Sequence, residues 1–362
     1  MKKVLYIGWI GYKNLGDELM YELFREQFQA LGNSYHLDSV NIEHKYLKNV
    51  SVQDYELIVL GGGSILSGKG YPLHPYIINY LNRCLLLKKK VMIWGSGIDW
   101  IPKSSLELLE KNKEIPLFIS DEERKKLQRV FEESVWSGVR GPLTLKLLDQ
   151  VGVKTSKVSG DPGFLLTPLS SKTPGKNSLS GKNRTIGVNW GTSFNNIYGE
   201  NEERVEDELV KALNELIKKG YQIHLYTVWS LDLPAIRRLY SKLSDPNKVF
   251  LDEKLYNHQE LLSLMENFTF TINFKLHANY LSLAANTPFI ALGYRFKVFD
   301  FVKSIDFDSF IISTDYPEIS NQILKMEQEI LEYYYPIKEK MKSYVQQYRK
   351  TIKEPFEHGL FI

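Results

Sequence analysis

The chain has 362 residues, more than one hydrophobic core usually serves, so length favours two domains. A hydrophobic share of 43% and a charged share of 25% exclude wholesale disorder, and 46 Lys plus Arg against 43 Asp plus Glu leave +3, too balanced to predict nucleic-acid binding. The single cysteine, Cys84, excludes an internal disulfide framework and stands in the apolar run from Tyr80 to Leu87, where a buried, inert thiol is expected.

The opening MKKVLYIGWIG is broken by glycines and is read as a first strand, Val4–Trp9, not a signal peptide. No stretch approaches the about 18 apolar residues that a membrane span needs. The expected location is the cytoplasm, with the inner face of the membrane as an option. Short apolar runs ending in glycine, each followed by a helical-period segment, recur along the chain and predict βα units around parallel sheets. In the first half the strands are Tyr35–Val40, Glu56–Leu60, Val91–Trp94, Ser134–Val139 and Lys157–Gly160. The helices between them are Asp17–Leu31, Pro75–Lys88, Ser104–Lys113, Asp121–Glu132 and Pro142–Val151, and Ser120 with Glu123 forms a capping box.

Residues 167–184, TPLSSKTPGKNSLSGKNR, carry no apolar period and predict a linker, set at 171–184. The pattern restarts with strands Thr185–Trp190, Tyr221–Val228, Val249–Leu251, Phe268–Phe274, Pro288–Gly293 and Phe310–Ser313. Helices are expected at Glu203–Lys219, Leu233–Leu243, His258–Glu266 and Leu276–Asn286. The stretch from Ser320 to about Arg349 predicts one or two helices with a break near Pro336, long enough to cross back over the first domain. The expected fold is α/β: two Rossmann-like domains, 1–170 and 185–319, facing across a cleft in a GT-B-like arrangement, with a helical segment over 320–362. Ligands of such sheets sit at the carboxyl ends of the strands.

Five constellations stand at those ends. In the first, Gly8-Trp9-Ile10-Gly11 leads through Asn14-Leu15-Gly16-Asp17-Glu18 into a helix, and Asp17 is equally a helix N-cap or a carboxylate for a sugar hydroxyl. Gly61-Gly62-Gly63-Ser64 and Gly95-Ser96-Gly97 follow adjacent strands, and three consecutive glycines favour a loop that a ligand approaches closely. Arg140, in Gly138-Val139-Arg140-Gly141-Pro142, offers a fork for a carboxylate or phosphate, with a surface salt bridge equally open. Asp161, before Pro162, favours an Asx-turn at a hinge over an acid catalyst. In the fifth, Lys275 and His277 open a small-residue helix after Phe274, an arrangement suited to an anion, and Arg295 with Lys297 follows the next strand. The remaining histidines form no pair at metal-ligand spacing, and no metal is expected. Trp9, Tyr12, Trp100 and Trp190 near strand ends are candidates to stack on a sugar, though core packing is the commoner role.

In order and spacing, NLGDEL, GGGSIL, GSGI, GVRGPLTLKLL, GDPGFLL, GVNWG and KLHANYLSLAANTPFIALGYRFKVFDF resemble the polysaccharide pyruvyltransferase family up to about Ser304. The resemblance implies a GT-B fold and transfer of the enolpyruvyl group of phosphoenolpyruvate onto two hydroxyls of a sugar, giving a pyruvate ketal and phosphate. It implies that Arg140, Lys275 and His277 face phosphoenolpyruvate, Arg140 and Lys275 on its anionic groups and His277 as general acid and later base. Asp17 or Glu18 would attend the sugar hydroxyl, so that 1–170 is the expected acceptor side and 185–319 the expected phosphoenolpyruvate side. The family usually has arginine where Lys275 stands, and a lysine lacks the bidentate fork, a loss that Arg295 could offset.

Substrate contacts are assigned on the same ground to Asn14, Gly16, Glu18, Gly62, Gly63, Ser64, Gly95, Gly97, Asn189, Trp190, Asn279 and Arg295. No cofactor is expected, phosphoenolpyruvate being the donor substrate. The expected partner is a sugar or lipid-linked oligosaccharide acceptor, with no nucleic acid. The Tyr-rich C-terminal stretch with Lys338, Lys340 and Lys342 fits a solvated face better than a membrane surface. A nucleotide-sugar glycosyltransferase and a non-catalytic sugar-binding protein of the same fold remain as alternatives.

Overall fold

The computed structural model describes residues 2–12, 14–32, 34–67, 74–117, 119–168 and 184–359. The linker expected at 171–184 falls outside them except for Arg184. The chain divides into two compact units: unit 1 comprises Met1–Leu165 and Gln347–Ile362, and unit 2 comprises Leu166–Gln346.

Unit 1 is built on six parallel strands in the order β2-β1-β3-β4-β5-β6. They are β1 (Lys2–Gly8), β2 (Tyr35–Asn41), β3 (Leu57–Leu60), β4 (Lys90–Ser96), β5 (Trp136–Val139) and β6 (Lys157–Val158). Val4 through Gly8 of β1 and all of β3 are buried, which explains their unbroken apolar runs: a parallel sheet is covered on both faces. Its helices are α1 (Leu15–Ala30), α2 (His44–Leu47), α3 (Pro75–Leu86), α4 (Lys103–Glu110), α5 (Asp121–Glu132) and α6 (Pro142–Gln150). The capping box of Ser120 and Glu123 is present in both directions at the start of α5. Cys84 is buried on α3, and burial pushes its thiol up to about 12, so it is inert.

Unit 2 repeats the plan with a six-stranded parallel sheet in the order β12-β11-β10-β7-β8-β9. Its strands are β7 (Thr185–Asn189), β8 (Gln222–Tyr226), β9 (Val249–Leu251), β10 (Phe270–Asn273), β11 (Phe289–Gly293) and β12 (Ile311–Ser313). Helices α7 (Glu202–Lys218), α8 (Leu233–Ser241), α9 (His258–Met265), α10 (Leu276–Ala284), α11 (Phe296–Ser304) and α12 (Ile319–Glu332) connect or flank them, and α13 (Tyr334–Glu357) closes the described chain. All twelve expected strands are present. Helix α11 was not anticipated, because FKVFDFVKS buries most of its length and therefore lacks a polar face to mark the helical period.

The break in the C-terminal helices falls at Tyr333 (φ −109°, ψ 27°), not at Pro336. Pro336 lies in the first turn of α13, where an amide has no intrahelical acceptor and its loss costs nothing. From Gln347 onward α13 belongs to unit 1. There the Trp94 indole donates to the Ile352 carbonyl at 2.9 Å, Tyr348 stacks on Phe164 at 4.5 Å, and Phe356 packs edge-on against Phe24, Phe28 and Trp94. Among the described residues no helix is long and apolar enough to cross a membrane.

In each sheet the chain leaves its first strand in one direction and later returns to build in the other. The reversal lies between β1 and β3 in unit 1 and between β7 and β10 in unit 2. Loops diverge at such a point and leave a crevice beyond the strand ends.

Candidate active site

In unit 1 the glycine loops serve the interior. A Cβ on Gly62 or Gly95 would meet Pro162 at 2.7 or 2.5 Å, and Gly63 holds φ of +101°, beside Asp17. A Cβ on Gly97 would lie 2.4 Å from the guanidinium carbon of Arg140. Arg140 itself is fully buried, donating to the Ile98 carbonyl at 2.7 Å and to Ser64 Oγ at 3.2 Å. The expectation that its fork reaches out toward a ligand is therefore corrected: the glycines let two loops close over a cation that fastens them together. Ser64 is likewise drawn to Arg140.

Asp161 is fully buried in electrostatic range of Arg140. Its Oδ1 accepts from the Gly163 amide at 2.8 Å, which is the Asx-turn the Asp-Pro sequence predicts. Burial pushes its carboxyl up to about 6, against the pull of Arg140 and of that amide.

At the start of α1 the N-cap is Asn14, whose Oδ1 accepts from the Gly16 amide at 3.1 Å. That corrects the N-cap reading of Asp17 and makes Asn14 and Gly16 parts of the cap. Glu18 accepts from the Gly11 amide at 2.7 Å and so ties the preceding loop to the helix. Asp17 stays half-buried in the first turn, next to the Gly63 backbone.

In unit 2 the predicted residues collect beyond β7, β10 and β11, three neighbours in the sheet. Asn189 ends β7 and Trp190 follows it, but both are fully buried, which corrects their assignment as substrate contacts. Asn189 Oδ1 accepts from the Lys275 amide at 2.9 Å, and the Trp190 indole donates to Glu206 at 2.9 Å while its ring packs on Phe274. Asn279 is also fully buried and donates to the Lys275 carbonyl at 3.3 Å. These three side chains set the backbone at which α10 begins.

Lys275 is held inside unit 2. Its ammonium donates to the Thr192 carbonyl at 2.6 Å, lies 3.0 Å from Asp232 Oδ1, and sits 5.1 Å from the centre of the Trp229 ring. Its charge is matched, so the expectation of a cation offered to a ligand becomes one of an ion pair that anchors the 192 loop. Only 14% of the Lys275 side chain reaches solvent, and none of Asp232. His277 is half-buried in the first turn of α10. Arg295 is the N-cap of α11, its guanidinium 5.2 Å from the Tyr294 ring centre, with Lys297 at 5.3 Å from the same ring. His277, Arg295 and the amides of two helix starts thus share one edge of the unit 2 sheet.

Two acidic residues escaped the sequence reading. Asp232 accepts from the Thr192 amide at 3.0 Å as well as from Lys275, and Glu202 gathers Thr192 Oγ1 at 2.7 Å and the amides of Ser193 and Asn195 at 2.5 and 3.2 Å. The loop they hold contains Phe194 and Asn195, both in the left-handed region at φ 55° and 56°. The signal in the sequence was Glu202 in the first turn of α7; nothing marked Asp232 as the partner of a lysine far along the chain. Cavities open within each unit. One of about 550 Å³ in unit 2 is lined by Thr192, Asn195, Glu202 and Arg238. One of about 640 Å³ in unit 1 is lined by Trp9, His44, Ser67, His74 and Tyr76.

Comparison with known proteins gives three findings. The model of the family described as polysaccharide pyruvyl transferase matches residues 14–295. The amylovoran biosynthesis protein AmsJ of Erwinia amylovora is 25% identical over 272 residues, 70% of this chain and 60% of that protein, so the match spans less than two thirds of the relative's length. Among solved structures, the UDP-GlcNAc 2-epimerase of Neisseria meningitidis superimposes with a TM-score of 0.57 at 13% identity, covering 99% of this chain and 100% of that one. The S. aureus MnaA structure with UDP gives 0.57 at 12% identity over 94% and 90%. At these identities the structures speak for the fold alone, a GT-B-like fold with two α/β units.

Proposed function

The chain belongs to the polysaccharide pyruvyl transferase family, and from that premise we propose that it moves the enolpyruvyl group of phosphoenolpyruvate onto two hydroxyls of a sugar in a surface or capsular polysaccharide precursor. The products are a cyclic pyruvate ketal and inorganic phosphate. The observation that carries the reading is the placement of His277 in the first turn of α10 and of Arg295 at the N-cap of α11, beyond the neighbouring strands β10 and β11. A multiply charged anion is stabilised by helix-start amides together with a guanidinium.

In the proposed reaction His277 gives a proton to the methylene carbon of phosphoenolpyruvate, leaving positive charge at C2. The first sugar hydroxyl attacks C2 and releases its proton, which the departing phosphate takes up. The C2–O bond to phosphate then breaks, phosphate taking the electron pair, and Arg295 stabilises that departure. The second hydroxyl attacks the same carbon and its proton returns to His277. Lys275, already matched by Asp232, acts by fixing the loop and helix start around His277 and does not clamp the donor.

The reading is tested by incubating the protein with phosphoenolpyruvate and lipid-linked or nucleotide-linked sugar acceptors while following phosphate release and acceptor mass. Phosphate together with an acid-labile mass gain on the acceptor supports it. Nucleotide release from a nucleotide sugar without any need for phosphoenolpyruvate would instead assign a glycosyltransferase.

A further inference from the structure

We propose that the unit 1 cavity bounded by Trp9, His44, His74 and Tyr76 is the subsite for a pyranose ring of the acceptor glycan, with the C–H face of the sugar against the Trp9 and Tyr76 rings. The identity of the ligand as an acceptor rests on the pyruvyltransferase reading; its chemical class and place rest on the cavity itself.

The place is the one the topology favours. Trp9 directly follows β1, Ile42 and His44 follow β2, Ile65 follows β3, and these strands flank the point where the unit 1 sheet reverses its order. His74 and Tyr76 open α3 from the other side. The volume of about 640 Å³ lies within the roughly 300–1,000 Å³ of small-molecule sites.

The lining is chiefly ring and aliphatic surface. Ile42 and Ile65 form a buried floor, and the His44 ring stands perpendicular to Tyr76 with centroids 4.8 Å apart. The Trp9 ring is half-buried, its centroid 6.2 Å from the exposed Tyr12 ring. Such a surface matches the apolar face of a sugar, which amphipathic aromatic rings accept well.

The polar groups suit hydroxyls better than an anion. Two imidazoles, His44 and His74, line the cavity, and burial lowers the basicity of His74, which favours its neutral form. Among the described lining residues the one lysine, Lys45, has its ammonium matched by Glu43 at 2.8 Å. An anion would compete with Glu43 for Lys45 in this lining, whereas a polyol needs only neutral hydrogen-bonding groups and ring surface.

The test uses the full chain without phosphoenolpyruvate and a panel of simple probes: the methyl β-glycosides of galactose, glucose and N-acetylmannosamine. Saturation-transfer NMR and tryptophan fluorescence titration report binding. At least one glycoside is expected to saturate, and Trp9→Ala and Tyr76→Ala to weaken it about tenfold. His44→Ala, at an exposed position, serves as the variant least able to disturb folding and is expected to weaken binding about threefold. The proposal is overturned if no glycoside binds wild type, or if the three unit 1 variants bind as wild type does. The two readings fail separately. Phosphate release whose acceptor KM is untouched by Trp9→Ala and Tyr76→Ala sinks the subsite and leaves the transferase. Trp9-dependent sugar binding without any turnover of phosphoenolpyruvate sinks the transferase and keeps the sugar site.

Discussion

Arg140 of unit 1 and Lys275 of unit 2 occupy equivalent places, each one residue or two beyond a parallel strand and each near a buried aspartate. Arg140 has no exposure and lies beneath Gly97, in range of Asp161. Lys275 keeps 14% of its side chain in contact with solvent and shares its charge between Asp232 and the Thr192 carbonyl. The difference separates two uses of a cation at a strand end. Sealed under glycines it fastens loops; left at the rim it fixes a loop and a helix start next to the half-buried His277. A residue's charge and strand position do not tell these uses apart, whereas its burial and partners do.

His277→Ala should give the largest effect and break the symmetry most clearly. We expect turnover to fall about 10²- to 10⁴-fold, as loss of a general acid does, with the melting temperature unchanged. Full turnover in that variant removes His277 from the proton transfer. Arg140→Ala should do the reverse, costing about 3–5 kcal/mol of folding stability in a urea titration, because it opens the interior around Asp161 and leaves its charge uncompensated. A loss below about 1 kcal/mol would mean that Arg140 is not the fastener described.

Asp161 gives the comparison a pH axis. Its folded value of about 6 stands above the ordinary 3.8, so between those values the folded state holds the proton more tightly than the unfolded chain. Its contribution to stability is thus greatest below about pH 4 and is lost as pH rises to about 6. Asp161→Asn should flatten that slope in urea titrations across the same range, and an unchanged slope would assign it to other groups.

Gly97→Ala should cost about 1–3 kcal/mol by pushing a methyl group into the Arg140 guanidinium, without altering a probe that binds unit 2 only. The smallest effect is expected at the start of α1. Asn14→Ala should lower stability by about 1 kcal/mol and Asn14→Asp should restore it, by thermal melting.

The twelve strands and their parallel pairing follow from runs such as LIVL and VMIW that end in glycine, because a sheet covered on both faces requires continuous apolar strands. The order of motifs was enough to mark the family, and LHANYLSLA after a strand marked the helix start that carries His277. What no local pattern could show was how deeply each polar residue lies and which distant group it meets. Trp190 binds Glu206, Lys275 meets Asp232, and His44 and His74 enclose one cavity with Trp9, all through contacts between segments far apart in the chain. Periodicity reports which face of an element is apolar; burial and pairing of a single side chain depend on packing between elements. The sequence therefore determined the framework and the family, and the tertiary structure alone decided that Arg140 is a fastener, Trp190 a core ring and Trp9 the wall of an open cavity.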